Sequence, residues 1–212
     1  MKLAVFDFDG TIIESKSDIA TLANMFRKTK GLLPKPIEEI RGYIGDGVSK
    51  LLERAAPEIE NVSQFKQEYL DLYLNNPVIK TELFPNVKET LFTLRDRKYI
   101  LAILTNKPEL ITIKILNYFG MSEFFHIVIG EDSLSARKPD PITLNYIINE
   151  LQADINQTFM IGDGINDVLV AKNAGVKQIY CKYGYGNNEE IIDKLDPDFS
   201  INSFSELTEI LY

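Results

Sequence analysis

The stretch "LAVFDFDGTIIES", residues 3–15, decides the fold of this chain. Leu3, Ala4, Val5 and Phe6 form a short apolar run, Asp7 and Asp9 flank Phe8 just after it, and Gly10-Thr11 follows. A run this short, with polar residues only at its end, reads as a strand buried on both faces. Strand side chains alternate, so residues two apart point the same way. If the extended geometry continues past Phe6, Asp7 and Asp9 enter one small space. Two carboxylates that close repel unless something compensates them.

Working outward, similar runs recur in "KYILAILTN", "FHIVIG", "TFMIGDG" and "VKQIYC". They predict short strands at 2–7, 99–104, 126–130, 158–162 and 176–181. Helical patterns lie between most of them. "NVKETLFTLRDR" follows Pro85 and spaces Val87, Leu91 and Leu94 on one face. "PELITIKILNYFG" opens on a proline and closes on Gly120, and "DPITLNYIINELQ" and "INDVLVAKNAGV" repeat the scheme. Strands and helices in alternation imply an α/β fold, a Rossmann-like, doubly wound parallel sheet covered on both faces.

The alternation stops between residues 15 and 80. "DIATLANMFRKTKG", "PIEEIRGYIG", "GVSKLLERAAPEI" and "SQFKQEYLDLYLNN" all read as helix. This block is expected to be an inserted all-helical cap domain, residues 16–80, interrupting a discontinuous core of 1–15 and 81–212. The chain would enter it near Glu14–Ser17 and leave near Asn76–Leu83, where "LNNPVIK" suits a linker. Tyr69, Leu72 and Tyr73 recur at helical spacing and read as cap packing.

The 212 residues suffice for one large domain or two modest ones. The formal net charge of −8 argues against nucleic acid or an anionic membrane as the main partner. It leaves room for an anionic small molecule, because a few cations or a metal can reverse the sign inside one pocket. Cys181 is the only cysteine, so no intramolecular disulfide forms, and it reads as buried apolar filler. No signal-like start and no apolar stretch of about 18 residues is present, so a cytoplasmic location is expected. The single histidine, His126, reads as a strand residue, and no histidine cluster can hold a metal.

In an open parallel sheet, ligands bind beyond the carboxyl ends of the strands. After the first strand come Asp7, Asp9, Gly10 and Thr11. Thr105, Asn106 and Lys107 follow the second. Asp163, Asn166 and Asp167 follow the fourth, and Arg137-Lys138 precedes the helix near Pro139. Each alone has a plain structural reading: a strand-end turn, a helix cap, a solvated loop, an acid-capped helix start. Their order, each at its own strand end, points instead to one coherent site. Hard oxygen ligands suit Mg²⁺, which would relieve the Asp7–Asp9 repulsion and hold a phosphate oxygen. Lys138, Thr105 and backbone N–H groups near Gly10 can neutralise the remaining phosphate charge. One aspartate can attack phosphorus, and the other can protonate the leaving oxygen and later deprotonate water.

With these residues in place the chain resembles the haloacid dehalogenase superfamily of phosphotransferases over essentially its whole length. "DFDGT", "LTN", the lysine of "RKPDP" and "GDGIND" look like its four motifs, in order. The helical insert looks like the cap of one subclass. "RGYIGDGVSKLLERA", "ELFPNVKETL" and "YGYGNNEEI" look like the phosphoglycolate phosphatases within it. The resemblance implies that Asp7 is the nucleophile forming an aspartyl-phosphate and Asp9 the general acid and base. It puts Mg²⁺ on the Asp7 carboxylate, the Asp9 backbone carbonyl and Asp163, with Asp167 a ligand or just behind. Thr105, Asn106 and Lys138 would hold the phosphoryl group. Asp9 also argues against the dehalogenase branch, which lacks an aspartate there.

The leaving group should be chosen by the cap, which closes over the site and excludes water. Arg41, beside Gly42 and before "GDG", is the candidate to grip a substrate carboxylate, with Lys50 second. The partner expected is a small phosphate ester, 2-phosphoglycolate first. Pyrophosphate, a nucleoside monophosphate or a sugar-phosphate mutase reaction are rivals, as is a non-enzymatic phosphate-accepting regulator. The cap and the Asp9-type acid/base favour the enzyme over the regulator. A monomer and a homodimer are both compatible with the sequence.

Overall fold

The described residues of this computed structural model are 1–186 and 189–212; Asn187 and Asn188 of the "YGYGNNEEI" segment lie outside them. The first apolar run forms β1 (Leu3–Phe6), the centre of the sheet. Two short strands follow, β2 (Ile13–Glu14) and β3 (Glu82–Leu83). The rest are β4 (Ile100–Leu104), β5 (Ile127–Ile129), β6 (Thr158–Gly162), β7 (Lys177–Cys181) and β8 (Phe199–Ile201). The main sheet runs β5-β4-β1-β6-β7-β8 with every neighbouring pair parallel.

The period-two pattern sorts β1 between two apolar layers. Ala4 and Phe6 join one cluster, Leu3 and Val5 the other. The first layer includes Leu91 and Leu94 of α5 (Val87–Asp96) and Ile111 and Ile115 of α6 (Glu109–Tyr118). The second is closed by Leu144 and Ile147 of α7 (Pro141–Glu150) and Val170 and Ala171 of α8 (Ile165–Ala174). Two later helices, α9 (Glu189–Leu195) and α10 (Leu207–Ile210), complete the chain.

The predicted sheet lacked its sixth strand. β8 has three residues, two of them exposed, at an edge of the sheet, so it carries no buried apolar run to betray it. Residues 15–80 contain α1 (Lys16–Thr29), α2 (Ile37–Arg41), α3 (Val48–Ala55) and α4 (Lys66–Asn75). These helices form the cap. Phe26, Leu52, Tyr69 and Tyr73 pack inside it, with Tyr69 edge-on to both Phe26 and Tyr73.

The "LNNPVIK" segment leaves helix after Asn75 as a linker would, and a short ribbon joins the two passages between cap and core. Ile13 pairs with Leu83 and Glu14 with Glu82 in an antiparallel ribbon. Just inside it, the buried Asp18 carboxylate of α1 accepts the N–H groups of Ile79, Lys80 and Thr81 and the Thr81 hydroxyl. Burial pushes this carboxyl up, but the Thr81 hydroxyl and the three amides outweigh it and hold the group below the usual 3.8. The return strand is thus tied to the first helix by charge-assisted bonds.

Candidate active site

β1 ends and the chain turns. The Asp7 N–H still joins the ladder, donating to Ile161 O at 2.8 Å. Then Phe8 O accepts the N–H groups of Thr11, Ile12 and Ile13, which closes a tight turn. The two carboxylates leave this segment toward different partners. Both line one cavity of about 530 Å³ between the sheet edge and the cap, but each faces its own lysine.

Asp7 lies 2.9 Å from Lys138 Nζ, which also meets Asp167 at 2.6 Å. Asp163 completes the group: one ligand oxygen each from Asp7, Asp163 and Asp167 lie within 4.8 Å of one another. Asp163 accepts the Thr11 hydroxyl at 3.2 Å and the Tyr185 N–H at 2.5 Å. Asp167 caps the start of α8, accepting the Gly164 N–H at 2.9 Å. Two of these acids hold the Lys138 ammonium and the third lies beside them, and burial together with this crowding shifts their protonation. Burial, then Asp7 and Asp167, push Asp163 well above its ordinary range. Burial and Asp7 raise Asp167 to about 6 despite Lys138. Lys138 is pulled down by burial and, more strongly, raised by Asp167 and Asp7.

Asp9 is differently placed. Its two oxygens lie 3.0 and 3.1 Å from Lys107 Nζ, and the Ser15 hydroxyl donates to it. The same ammonium donates to the hydroxyl of Tyr73, a cap residue. Burial lowers the Lys107 pKa, with Asp9 only partly opposing it. The Asp9 carboxylate is not part of the three-acid group.

The remaining sequence candidates fall in three places. Thr105, Asn106 and Lys138 are buried in the cavity wall beside the aspartates. Asn106 donates to Lys138 O at 3.2 Å and to Gly45 O of the cap at 3.3 Å, while its own Oδ1 is buried with no hydrogen-bond partner. Gly10 corrects an expectation: its N–H is taken by Ile13 O and it does not line the cavity. Its contribution is close approach. With φ at +84°, a Cβ there would meet Asp163 Oδ2 at 2.3 Å. Arg41 reaches the cavity edge but is bonded to Glu38, three residues back on α2, at 2.7 Å. Lys50 is a second correction. Val48, Leu51, Leu52 and Ala55 turn the buried face of α3 inward, so Lys50 faces out, pairs with Glu53 at 2.7 Å and does not line the cavity. His126 is exposed, and Cys181 is fully buried in the core.

Lys107, Tyr73, Ser15 and Tyr185 are the site residues that pattern reading left without a role. Lys107 follows Thr105-Asn106 at a strand end, so its position was visible, but a lone lysine in a turn reads as solvated. The cap closes on the core through a further acid, Glu131, just beyond β5. Its buried carboxylate accepts the Val48 N–H at the start of α3 at 3.2 Å and meets Lys66 of α4 at 2.6 Å. Gly47 passes so close that a Cβ would lie 2.2 Å from Glu131 Oε2.

A sheet edge carrying this density of acids, with a buried lysine among them and helices roofing it, has the layout of an enzyme site with hard oxygen donors for a cation. The comparisons make that specific. A family model for haloacid dehalogenase-like hydrolases matches residues 4–181. A phosphoglycolate phosphatase of Psychrobacter arcticus is 37% identical over 220 aligned positions, 99% of this chain and 95% of the relative. One from Vibrio parahaemolyticus is 34% identical over 100% of this chain and 96% of its own. The crystal structure of a predicted phosphoglycolate phosphatase from Haemophilus somnus superposes with a TM-score of 0.92 at 31% identity, covering 100% and 98% of the two chains. The chain belongs to the haloacid dehalogenase-like hydrolases, and it is a phosphoric monoester hydrolase. No helix among the described residues is long and apolar enough to cross a membrane.

Proposed function

We propose that this chain hydrolyses 2-phosphoglycolate with Mg²⁺ through an aspartyl-phosphate on Asp7. The observation that carries the chemistry is that Asp7 and Asp9 line one cavity with different partners: Asp7 lies with Asp163, Asp167 and Lys138, and Asp9 with Lys107 toward the cap. The substrate reading rests on full-length similarity to proteins named phosphoglycolate phosphatase.

In this reading an Asp7 oxygen attacks phosphorus and the ester oxygen leaves with a proton from Asp9. Asp9 then takes a proton from water as that water attacks the phosphorus of the acyl phosphate. Phosphate departs and Asp7 is regenerated. Lys138, Thr105 and Asn106 hold the phosphoryl oxygens, and the unpaired Asn106 Oδ1 has acceptor capacity to spare. Asp7, Asp163 and Asp167 fit Mg²⁺, because three crowded carboxylates supply hard oxygen donors and one lysine leaves them in charge excess. By the family resemblance, the Asp9 backbone carbonyl would be the further donor. Bound there, the cation would neutralise charge on the phosphoryl oxygens. The helices between residues 16 and 80 act as the cap domain, closing over the ester and shutting out water.

The test is phosphate release with Mg²⁺ from phosphoglycolate, pyrophosphate, nucleoside monophosphates and hexose phosphates. The expected result is the highest kcat/KM on phosphoglycolate. Comparable values across the panel would make the chain a generalist and remove the substrate assignment. Stable self-phosphorylation without turnover would remove the hydrolase reading.

A further inference from the structure

We infer that Lys107, not a cap arginine, reads the carboxylate of the substrate's leaving group, and that Tyr73 of the cap aims it. The inference rests on the phosphoglycolate reading above.

Among the described residues four cations line the cavity: Arg41, Arg54, Lys107 and Lys138. Lys138 is committed to Asp7 and Asp167, beneath the phosphoryl position. Arg41 and Arg54 lie at the rim, paired to Glu38 and to Asp46, each at 2.7 Å and with both partners open to water. Lys107 alone is both buried and beside Asp9, with its side chain 2% exposed.

The chemistry of the substrate selects among them. In phosphoglycolate a single methylene separates the ester oxygen from the carboxylate. The ester oxygen must sit at hydrogen-bond distance from Asp9 to receive its proton. The carboxylate therefore lies within a few ångströms of Asp9, where an ammonium already sits 3.0 Å from one Asp9 oxygen and 3.1 Å from the other. A lysine ammonium has three hydrogens. One goes to Tyr73, and the contact with Asp9 is spread over both oxygens, so the ammonium can turn partway to a second carboxylate without leaving the first. A desolvated ammonium makes stronger charge-assisted bonds than a rim guanidinium in water. Tyr73 supplies the link to the cap: α4 carries the hydroxyl that fixes where the ammonium points. Lys107 O in turn accepts the Glu131 N–H at 3.1 Å, so the acid that seats α3 and α4 also anchors the lysine's backbone.

The experiment compares kcat/KM for 2-phosphoglycolate with kcat/KM for 2-hydroxyethyl phosphate, which keeps the ester and replaces the carboxylate with a neutral hydroxymethyl group. Wild type is expected to favour phosphoglycolate by roughly 100-fold or more, the size of a buried, hydrogen-bonded charge pair. Lys107→Met should bring that ratio close to one. Any effect of Lys107 through Asp9 lowers both substrates together and cancels in the ratio. Lys107→Arg should keep part of the preference. Tyr73→Phe, which preserves packing, should reduce the ratio by roughly three- to tenfold, mainly through KM for phosphoglycolate, and it stands as the test if Lys107→Met fails to fold. A high wild-type ratio unchanged in Lys107→Met, or in Tyr73→Phe if that is the variant that folds, overturns the inference and leaves the phosphoglycolate reading intact. A wild-type ratio near one overturns both.

Discussion

Asp7 and Asp9 are two residues apart in sequence and opposite in setting. Around Asp7 three acids crowd together with Lys138 paired to two of them, and burial, with the neighbouring carboxylates adding to it, lifts Asp163 and Asp167. Around Asp9 one acid faces one lysine, and charge is balanced. An acid-rich group is unstable until a cation arrives. A balanced pair is stable already and changes only when a new anion competes for the lysine. Under the proposed function the sheet edge would take the metal and the cap-facing side the substrate.

Breaking the two sides separately gives the largest effects. Asp7→Asn should lower turnover by roughly 10⁴-fold or more, as expected when a nucleophile is lost. The same change should raise the Tm of the metal-free protein, because it relieves repulsion with Asp163 and Asp167. Asp9→Asn should also cost turnover but lower the metal-free Tm, by about 2–4 kcal/mol of stability, since it leaves the Lys107 ammonium buried with no counter-charge. Thermal denaturation of the two variants reads the sign directly. Equal shifts would mean that the two settings are electrostatically alike.

The next effect belongs to the cation. Asp167 holds its proton more tightly in the folded chain, with a pKa of about 6 against 3.8. Its contribution to stability is complete below 3.8 and is lost as pH rises to about 6. Mg²⁺ at about 100 times its Kd should return roughly 2.7 kcal/mol at pH 7 and much less at pH 4.5, where protons compete for the same oxygens. A chelator should stop turnover. An equal Tm rise at both pH values would place the cation away from these carboxylates.

The sheet edge was legible in the sequence because its aspartates follow apolar strands, and a parallel sheet lines such positions up. Asp7, Asp163 and Asp167 could be gathered by that rule, whereas Lys138 was picked out by its place just before a helix. The rule misjudged Gly10, whose amide the Phe8–Ile13 turn consumes, but it did bring Asp7 and Asp9 to one cavity; it gave no hint that each would meet a lysine of its own. The cap side was not legible by any such rule. Lys107 matters because of Tyr73, 34 residues earlier, and Glu131 because of Val48, 83 residues earlier. Helical periodicity correctly put Tyr69 and Tyr73 inside the cap, yet it has no way to assign the Tyr73 hydroxyl a partner. The same periodicity, applied to α3, would have turned Lys50 outward.

Weakening the seat of the cap tests whether the balanced side depends on closure. Glu131→Gln keeps the shape but removes the charge that meets Lys66 and the start of α3. The expected outcome is a several-fold rise in KM for phosphoglycolate, since two charge-assisted contacts of about 1 kcal/mol each are lost. Its Mg²⁺-induced Tm shift should stay close to that of wild type, because Glu131 touches none of the three acids. A weakened metal response would mean that cap and sheet edge are coupled more tightly than the geometry implies.

The smallest effect on turnover should come from Asp18, which ties cap to core without lining the cavity. Its folded pKa is depressed, so its contribution is present above the ordinary 3.8 and is lost as pH falls through the lower folded value. Asp18→Asn offers one carbonyl oxygen to donors that now share two charged oxygens, and its amide hydrogens face the N–H groups of residues 79–81. Roughly 2–3 kcal/mol of stability should be lost near neutrality. As pH falls through the depressed folded value the wild type loses the same contribution, so the two melting curves should converge in acid. Parallel curves across that range would mean that the ribbon, not the carboxylate, holds the cap's return strand.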